Sequence, residues 1–336
     1  MTTVEQPAAA APVLVAVPHP IRRLLIERTL YGILTLFIVS ILVFAATELL
    51  PGDAARAVLG HNATPIQLHN LQVQLGLDRP AVVQYWSWLS GLLHGDLGKS
   101  LANGESVSTL LAGRILNSAV LVVLAGFFGT VIGVALGLFT AIRRDKFIDH
   151  TLSVISLGVT ALPEFVIALG FLFVFSTNVF HAFPAVSLIP PGSPPWQSPS
   201  LLVLPVAALV VVIVPYIYRM MRAATIEALE SEYVEMARLK GLPRTGVLLR
   251  HALPNAIAPT IQAIGLSFLY LAGGIVLIEV VFAYPGIGFT LDQAVQNRDI
   301  PIIQFIVLLL ATFYIFMNIV TDVIALIATP RRRVPR

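Results

Sequence analysis

The sequence predicts an all-α membrane protein with six transmembrane helices and both termini in the cytoplasm. Three observations carry that prediction. Of the 336 residues, 57% are hydrophobic and only 12% charged, with a mean hydropathy of +0.86. A water-soluble chain carries roughly a quarter charged residues, so this one lacks the charge to cover a surface facing water. Six segments are apolar over the roughly 17–25 residues that a bilayer-crossing helix needs. Finally, Lys and Arg concentrate in alternate connections between those segments, which is a topology signal and not a nucleic-acid footprint, despite a pI near 9.3.

In chain order, residues 1–19 (MTTVEQPAAAAPVLVAVPH) have no basic n-region and are broken by prolines, so they read as a flexible tail and not as a cleaved signal. Residues 20–50 form the first span, apolar over Leu30–Leu50, with its cytoplasmic flank. Residues 51–117 form an external loop in which YWSWLSGLL suits an interfacial helix. Residues 118–328 form a core of five further spans: Ser118–Ala141, Thr151–Ser176, Ser200–Tyr218, Ala256–Phe282 and Pro301–Ala328. A cytoplasmic loop, residues 219–255, lies inside that core, and residues 329–336 are a basic cytoplasmic tail. The fourth span is the least regular, because it holds Pro205 and Pro215.

Orientation follows from charge. One side carries Arg22, Arg23 and Arg28, then Arg143, Arg144 and Lys146, then Arg219, Arg222, Arg238, Lys240, Arg244 and Arg250, and finally Arg331, Arg332, Arg333 and Arg336. The other side holds only Arg56, Arg79, Lys99, Arg114 and Arg298. The positive-inside rule assigns the rich side to the cytoplasm.

The stretch GLLHGDLGKS (Gly91–Ser100) imitates a phosphate-binding loop. That motif needs four residues between its two glycines, which puts the first at position 93, and this is Leu93. The stretch also lies in the external loop, away from ATP. With no cysteine, disulfides, thiol catalysis and cysteine metal sites are excluded. His61, His69 and His94 share the external loop without a ligand spacing such as His-x-x-x-His, so no metal site is expected. No nucleophile elbow, HExxH or paired carboxylate appears, so no catalytic residue is assigned and the chain reads as a non-enzyme.

The cytoplasmic loop is the most informative segment. Arg219 through Lys240 reads as one amphipathic helix, with Glu235 and Arg238 spaced for an i,i+3 pair. Gly241 fits the left-handed terminator and Pro243 blocks continuation. A second short helix, Arg244 to Ala252, leads into Pro254. Ala237 and Gly241 share a face and leave a notch that another protein can approach; an ordinary solvated loop is the competing reading.

Glu235-x-Ala237-x-x-x-Gly241, followed by HALPN at His251–Asn255, resembles the EAA loop of binding-protein-dependent ABC importer permeases. The resemblance extends to LPGD at Leu50–Asp53, LGLDRP at Leu75–Pro80, GDLGKS at Gly95–Ser100, EVVFAYPGIG at Glu279–Gly288 and NIVTD at Asn318–Asp322. Covering roughly Arg22 to Arg333, it is similar to the B-type permease of the peptide and nickel importer family. It implies the six-helix ABC importer permease (type I) fold in a prokaryotic plasma (inner) membrane. It also implies half of a translocation path for di- or oligopeptides and no cofactor on this chain. ATP and Mg would bind on two partner ATPase subunits, beside a homologous second permease and an extracytoplasmic substrate-binding protein. Glu235, Ala237, Leu239, Gly241 and Leu242 would couple to the ATPase, and Gly95, Asp96, Gly98 and Ser100 would form an external loop motif. The chain departs from the family at Met236, at Thr329 in the tail (Thr329-Pro330-Arg331), and at Glu164, where a small residue is usual. Dipeptide, oligopeptide and nickel or other small solutes are not separated by these motifs. A gradient-driven secondary transporter is the alternative of another class; against it, the chain has no inverted repeat and no ion relay through several spans.

Charged groups inside the bilayer cost about 2.5–3.5 kcal/mol at a helix centre. Glu164, directly after Pro163, either lines the translocation path and meets the amino group of a peptide or a cationic side chain, or it pairs with a polar group on a neighbouring helix or is protonated and buried. Asn318 and Asp322, four apart on one face of the last span, either line the path or make structural hydrogen bonds. Glu279 is expected to hold the Pro285–Gly288 turn.

Overall fold

The computed structural model describes residues 20–49, 59, 64–76, 78–190 and 192–328. The tail 1–19, all of LPGD, Leu77, His61 and the basic tail 329–336 lie outside the described residues. Among the described residues, five helices are long and apolar enough to cross a membrane, and a bent pair makes a sixth if it is counted as one span.

The first span is α1 (Pro20–Glu48), about 43 Å long at 1.5 Å per residue. Two short helices follow, α2 (Pro65–Leu75), opened by a reciprocal Thr64–Gln67 capping box, and α3 (Ala81–Leu93). Tyr85 of α3 is buried and its hydroxyl lies 2.9 Å from the Ser40 hydroxyl of α1, while Trp86 stays exposed. The expected interfacial helix is therefore fixed to the first span by its polar tip.

The centre of the molecule is α4 (Val107–Ile142) packed along α7 (Ser200–Leu229), the most extensive helix pairing in the chain. Its cause is compositional. Gly126, Gly129, Gly133 and Gly137 line one face of α4; the last three face Ile213, Ile217 and Met221 of α7, and Gly126 faces Phe268. Small residues at such spacing let backbones approach inside a bilayer. The large, buried core joins α4 and α7 to α10 (Leu253–Val281) and to α6 (Glu164–Leu172). Helix α12 (Ile300–Ala328) packs on α10 and α1, where Gly32 of α1 admits Ile315. Helix α1 is peripheral: Leu30, Ile33, Leu34 and Leu42 point outward as lipid-facing side chains do.

Three expectations are corrected here. The third span is not one helix. Helix α5 (Phe147–Ala161) and α6 meet at 103° across Leu162 and Pro163. Pro163 lacks an amide and forces Leu162 out of helical geometry (φ −87°, ψ 135°), so the chain turns there. Second, the segment from Arg219 to Lys240 is two helices: α7 runs through both prolines to Leu229, and α8 (Glu232–Leu239) follows a break at Glu230–Ser231. Third, the second short helix is α9 (Arg244–Val247), which passes through a π-turn, Leu248–Ala252, directly into α10.

Candidate functional site

Two arrangements concentrate chemistry: a cavity inside the bundle, and the loop on the basic side. The cavity, of about 970 Å³, lies between α6, α7, α10 and α12. Its polar lining is Glu164 from α6, Tyr216 and Arg219 from α7, Gln262, Ser267 and Tyr270 from α10, and Tyr314 from α12. The bend at Pro163 is what brings Glu164 there, since it starts a new helix at the cavity wall instead of continuing α5. Glu164 Oε2 is buried and accepts no hydrogen bond among the described residues. It lies against Gly274, where any Cβ would collide with it. The rings of Tyr216 and Tyr270 stand 5.7 Å apart, and the Arg219 guanidinium lies 5.5 Å from the Tyr216 ring centre.

The other two membrane residues singled out from sequence do not line this cavity. Asn318 donates to the Tyr314 carbonyl one turn back (3.1 Å), and Asp322 pairs with Arg28 of α1 at 2.8 Å. Both are thereby engaged at the α1–α12 side of the bundle.

On the basic side, α8 ends in a Schellman arrangement. Gly241 has φ +77°, its amide donates to Arg238 (2.9 Å), and the Leu242 amide reaches back to Ala237 (3.4 Å). Glycine is the residue that takes this left-handed position without strain. Ala237 does not open a notch for a partner. It is buried with Val234 against Ala228, Val247 and Ala252, in a small core that seats α8 under the bundle. Glu235 and Arg238 are exposed and form no ion pair among the described residues. The outward surface is Tyr233, Glu235, Met236, Leu239 and Leu242, with Leu239 75% exposed. Tyr233, Met236, Leu239 and Leu242 thus leave four large apolar side chains exposed on a short charged segment.

On the opposite side, the GDLGKS loop is held by a residue that sequence reasoning missed, Asp299. This buried carboxylate accepts from the Ser100 hydroxyl and from the amides of Leu101 (3.0 Å) and Ala102 (3.4 Å). Gly95 and Gly98 have positive φ, and Asp96 accepts from the Gly98 amide at 3.0 Å. Glu279 holds its turn as expected. Fully buried, it accepts from the amides of Gly288 (2.7 Å) and Phe289 (3.1 Å) at the start of α11 (Ile287–Asn297), and from Ser118 (2.5 Å). Beside it, Tyr284 donates to the Asn117 carbonyl at 2.9 Å; burial, reinforced by the nearby Glu279 carboxylate, pushes its phenol up and keeps it a donor.

Sequence reasoning also missed the cavity's α7 and α10 lining. The available signal was Tyr216 and Arg219, one turn apart at the end of an apolar span.

Comparison with known proteins agrees with these motifs. The family model of binding-protein-dependent transport system inner membrane components matches residues 133–334, and the model of their N-terminal region matches residues 21–135. The chain is 34% identical over 310 residues to a protein of Brucella abortus (strain 2308) provisionally named a peptide transport system permease protein, covering 92% of this chain and 98% of that protein. It is also 34% identical over 308 residues to the glutathione transport system permease protein GsiC of Escherichia coli O6:H1 (strain CFT073), with the same shares of 92% and 98%. A chain of the MetNI methionine ABC transporter, in an inward-facing structure, shares the fold: the TM-score is 0.52 at 20% identity, over 66% of this chain and 96% of that one. Matched from its first span to its last, the chain belongs to the binding-protein-dependent transport system inner membrane components, the multi-pass permeases of ABC importers.

Proposed function

We propose that this permease forms half of a translocation path for di- or oligopeptides, with Pro163 and Glu164 at the path, and takes its power stroke through the loop 219–255. Both termini and that loop face the cytoplasm, as the basic residues require. A homologous second permease completes the path, and an extracytoplasmic binding protein delivers the substrate. Two separate ATPase subunits bind ATP and Mg and dock on this loop; this chain hydrolyses nothing. The names of the 34%-identical relatives, one for peptides and one for the tripeptide glutathione, support the substrate class.

The observation that carries the coupling assignment is the division of labour on α8: Ala237 fixes the helix from inside while Glu235, Leu239 and Leu242 face outward beside Gly241. Beyond its chain neighbours, no atom of the described residues lies within 4 Å of a Cβ built on Gly241, so a side chain there projects into open space, where the proposed partner would dock. Aspartate tolerates left-handed backbone better than most residues. Gly241→Asp is therefore expected to abolish ATP-driven uptake while membrane insertion and helix content survive. Normal uptake by this variant would sink the assignment. Tagged purification in mild detergent is expected to recover a sister permease and two ATPase chains; recovery of a stable lone chain would favour a gradient-driven carrier.

A further inference from the structure

The cavity has a charge pattern that a passive conduit does not need. Its wall carries one carboxylate, Glu164, whose Oε2 has no donor among the described residues, and one guanidinium, Arg219, with no carboxylate partner among them. Other charged groups of the bundle pair among themselves: Arg28 with Asp322, Arg222 with Asp149, and Arg144 with Glu230. Arg219 Nε reaches only the Pro215 carbonyl, at 3.3 Å. Placing a carboxylate in the bilayer without a partner is costly, yet Gly274 leaves room for this one on the opposing helix. Two phenol faces, Tyr216 and Tyr270, complete the wall, and Tyr270 lies in the field of both Glu164 and Tyr216. Carboxylate and aromatic faces together are the recognition chemistry of an ammonium group.

We infer that this cavity reads the two ends of a zwitterionic substrate, Glu164 accepting its primary ammonium group between Tyr216 and Tyr270, and Arg219 facing its carboxylate. The inference rests on the peptide-importer reading above and adds to it a selectivity step inside the membrane. Glu164 is half-buried and part of the cavity wall: its Oε2 is enclosed against Gly274, and a ligand in the cavity meets the carboxylate from its open side. A volume of about 970 Å³ takes a short peptide with room for water. A purely structural Glu164 would need a donor on α7 or α10 to offset its desolvation, and none is there among the described residues.

The test is ligand protection of the intact importer, purified in detergent without its binding protein, so that only the membrane cavity is read. Thermal unfolding is followed across concentration series of trialanine and of N-acetyl-trialanine, which keeps the carboxylate and lacks the ammonium. A ligand that binds the folded state raises the midpoint by mass action. Trialanine is expected to protect the wild type and N-acetyl-trialanine to protect it far less. In Glu164→Gln, the trialanine concentration for half-maximal protection is expected to rise about tenfold or more, as for loss of one charge-assisted hydrogen bond. Glu164→Asp, which keeps the charge, is expected to retain the preference for the free amine, as a merely structural role would not require. Equal protection by both peptides, undiminished protection of Glu164→Gln, or no protection at all would overturn the inference. ATP-driven uptake of labelled trialanine into vesicles holding all subunits and the binding protein separates the two levels. Uptake without the protection pattern removes the charge-reading cavity alone; no uptake of trialanine removes the peptide reading and the cavity's role with it.

Discussion

Arg222 grips Asp149 with two parallel bonds, Nε to Oδ1 at 2.6 Å and Nη2 to Oδ2 at 2.7 Å, joining α7 to the first turn of α5. Asp149 is almost wholly buried, and the Asp145 amide donates a third bond at 3.0 Å. Removing one member of such a pair costs more than the pair contributes, because the remaining charge is orphaned. Asp149→Asn is expected to lower stability by roughly 3 kcal/mol, the low end for such a loss because Arg222 is partly exposed. The double variant Asp149→Leu with Arg222→Met is expected to recover much of that loss. Thermal unfolding of the purified complex checks both, and a double variant no better than Asp149→Asn would show that the pair does not act as a unit.

Within the basic-side loop, neighbouring positions on α8 are expected to fail in different ways. Ala237→Leu overfills the small core formed with Val234, Val247 and Ala252 and is expected to cost about 1–3 kcal/mol locally. Hydrogen exchange of the amides from 232 to 253 would accelerate. Leu239→Glu, on the outer surface, is expected to leave that exchange unchanged and to prevent co-purification of the ATPase subunit. A Leu239→Glu complex with its full complement of ATPase would contradict the docking surface.

Asp299 and Ser100 join the ends of two connections that are 199 residues apart in sequence. Ser100→Ala removes the hydroxyl that serves the buried carboxylate and also receives the Asn103 amide at 3.3 Å. A loss of about 1–2 kcal/mol is expected, as for a buried hydrogen bond to a charged group. Faster exchange of amides 100–104 would register it, and unchanged protection there would mean that Asp299 holds the loop through its backbone bonds alone.

The glycine face of α4 tolerates little added volume. A Cβ at Gly133 would stand 2.8 Å from Ile217 Cβ, and both atoms belong to the helix cores with no flexible end to yield. Gly133→Ala is expected to force α4 and α7 apart at a cost of about 1–3 kcal/mol. Gly158, with open space around it, accepts the same change without measurable cost. Unfolding midpoints of the two variants give the comparison, and equal midpoints would refute the close-packing argument.

Which parts were legible in the sequence follows from the range of each interaction. Hydropathy located five of the spans as single helices, because bilayer thickness imposes length on each segment separately. Gly241 was legible as a terminator because a left-handed cap is a local event within six residues. The 103° bend was not deduced, although Pro163 stood in plain view: proline in a membrane helix can bend or be absorbed, and Pro205 and Pro215 of α7 are absorbed while Pro163 turns the chain. Ala237 was misjudged because spacing reveals which residues share a face, not which way that face looks. Asp299, Tyr270 and the Asp149–Arg222 pair depend on helices meeting across tens of residues, and no local pattern announces them.

Helix α7 carries Tyr216 and Arg219 in the cavity wall, Arg222 in the clamp to α5, and Ala228 in the small core under α8. From Tyr216 to Ala228 is about 18 Å of unbroken helix at 1.5 Å per residue, packed on the glycine face of α4 as far as Arg222. On the coupling proposed above, a push on the loop would reach the cavity as a displacement of its wall, and a molecule held there would resist that push from the other end. Load and drive would then share one beam.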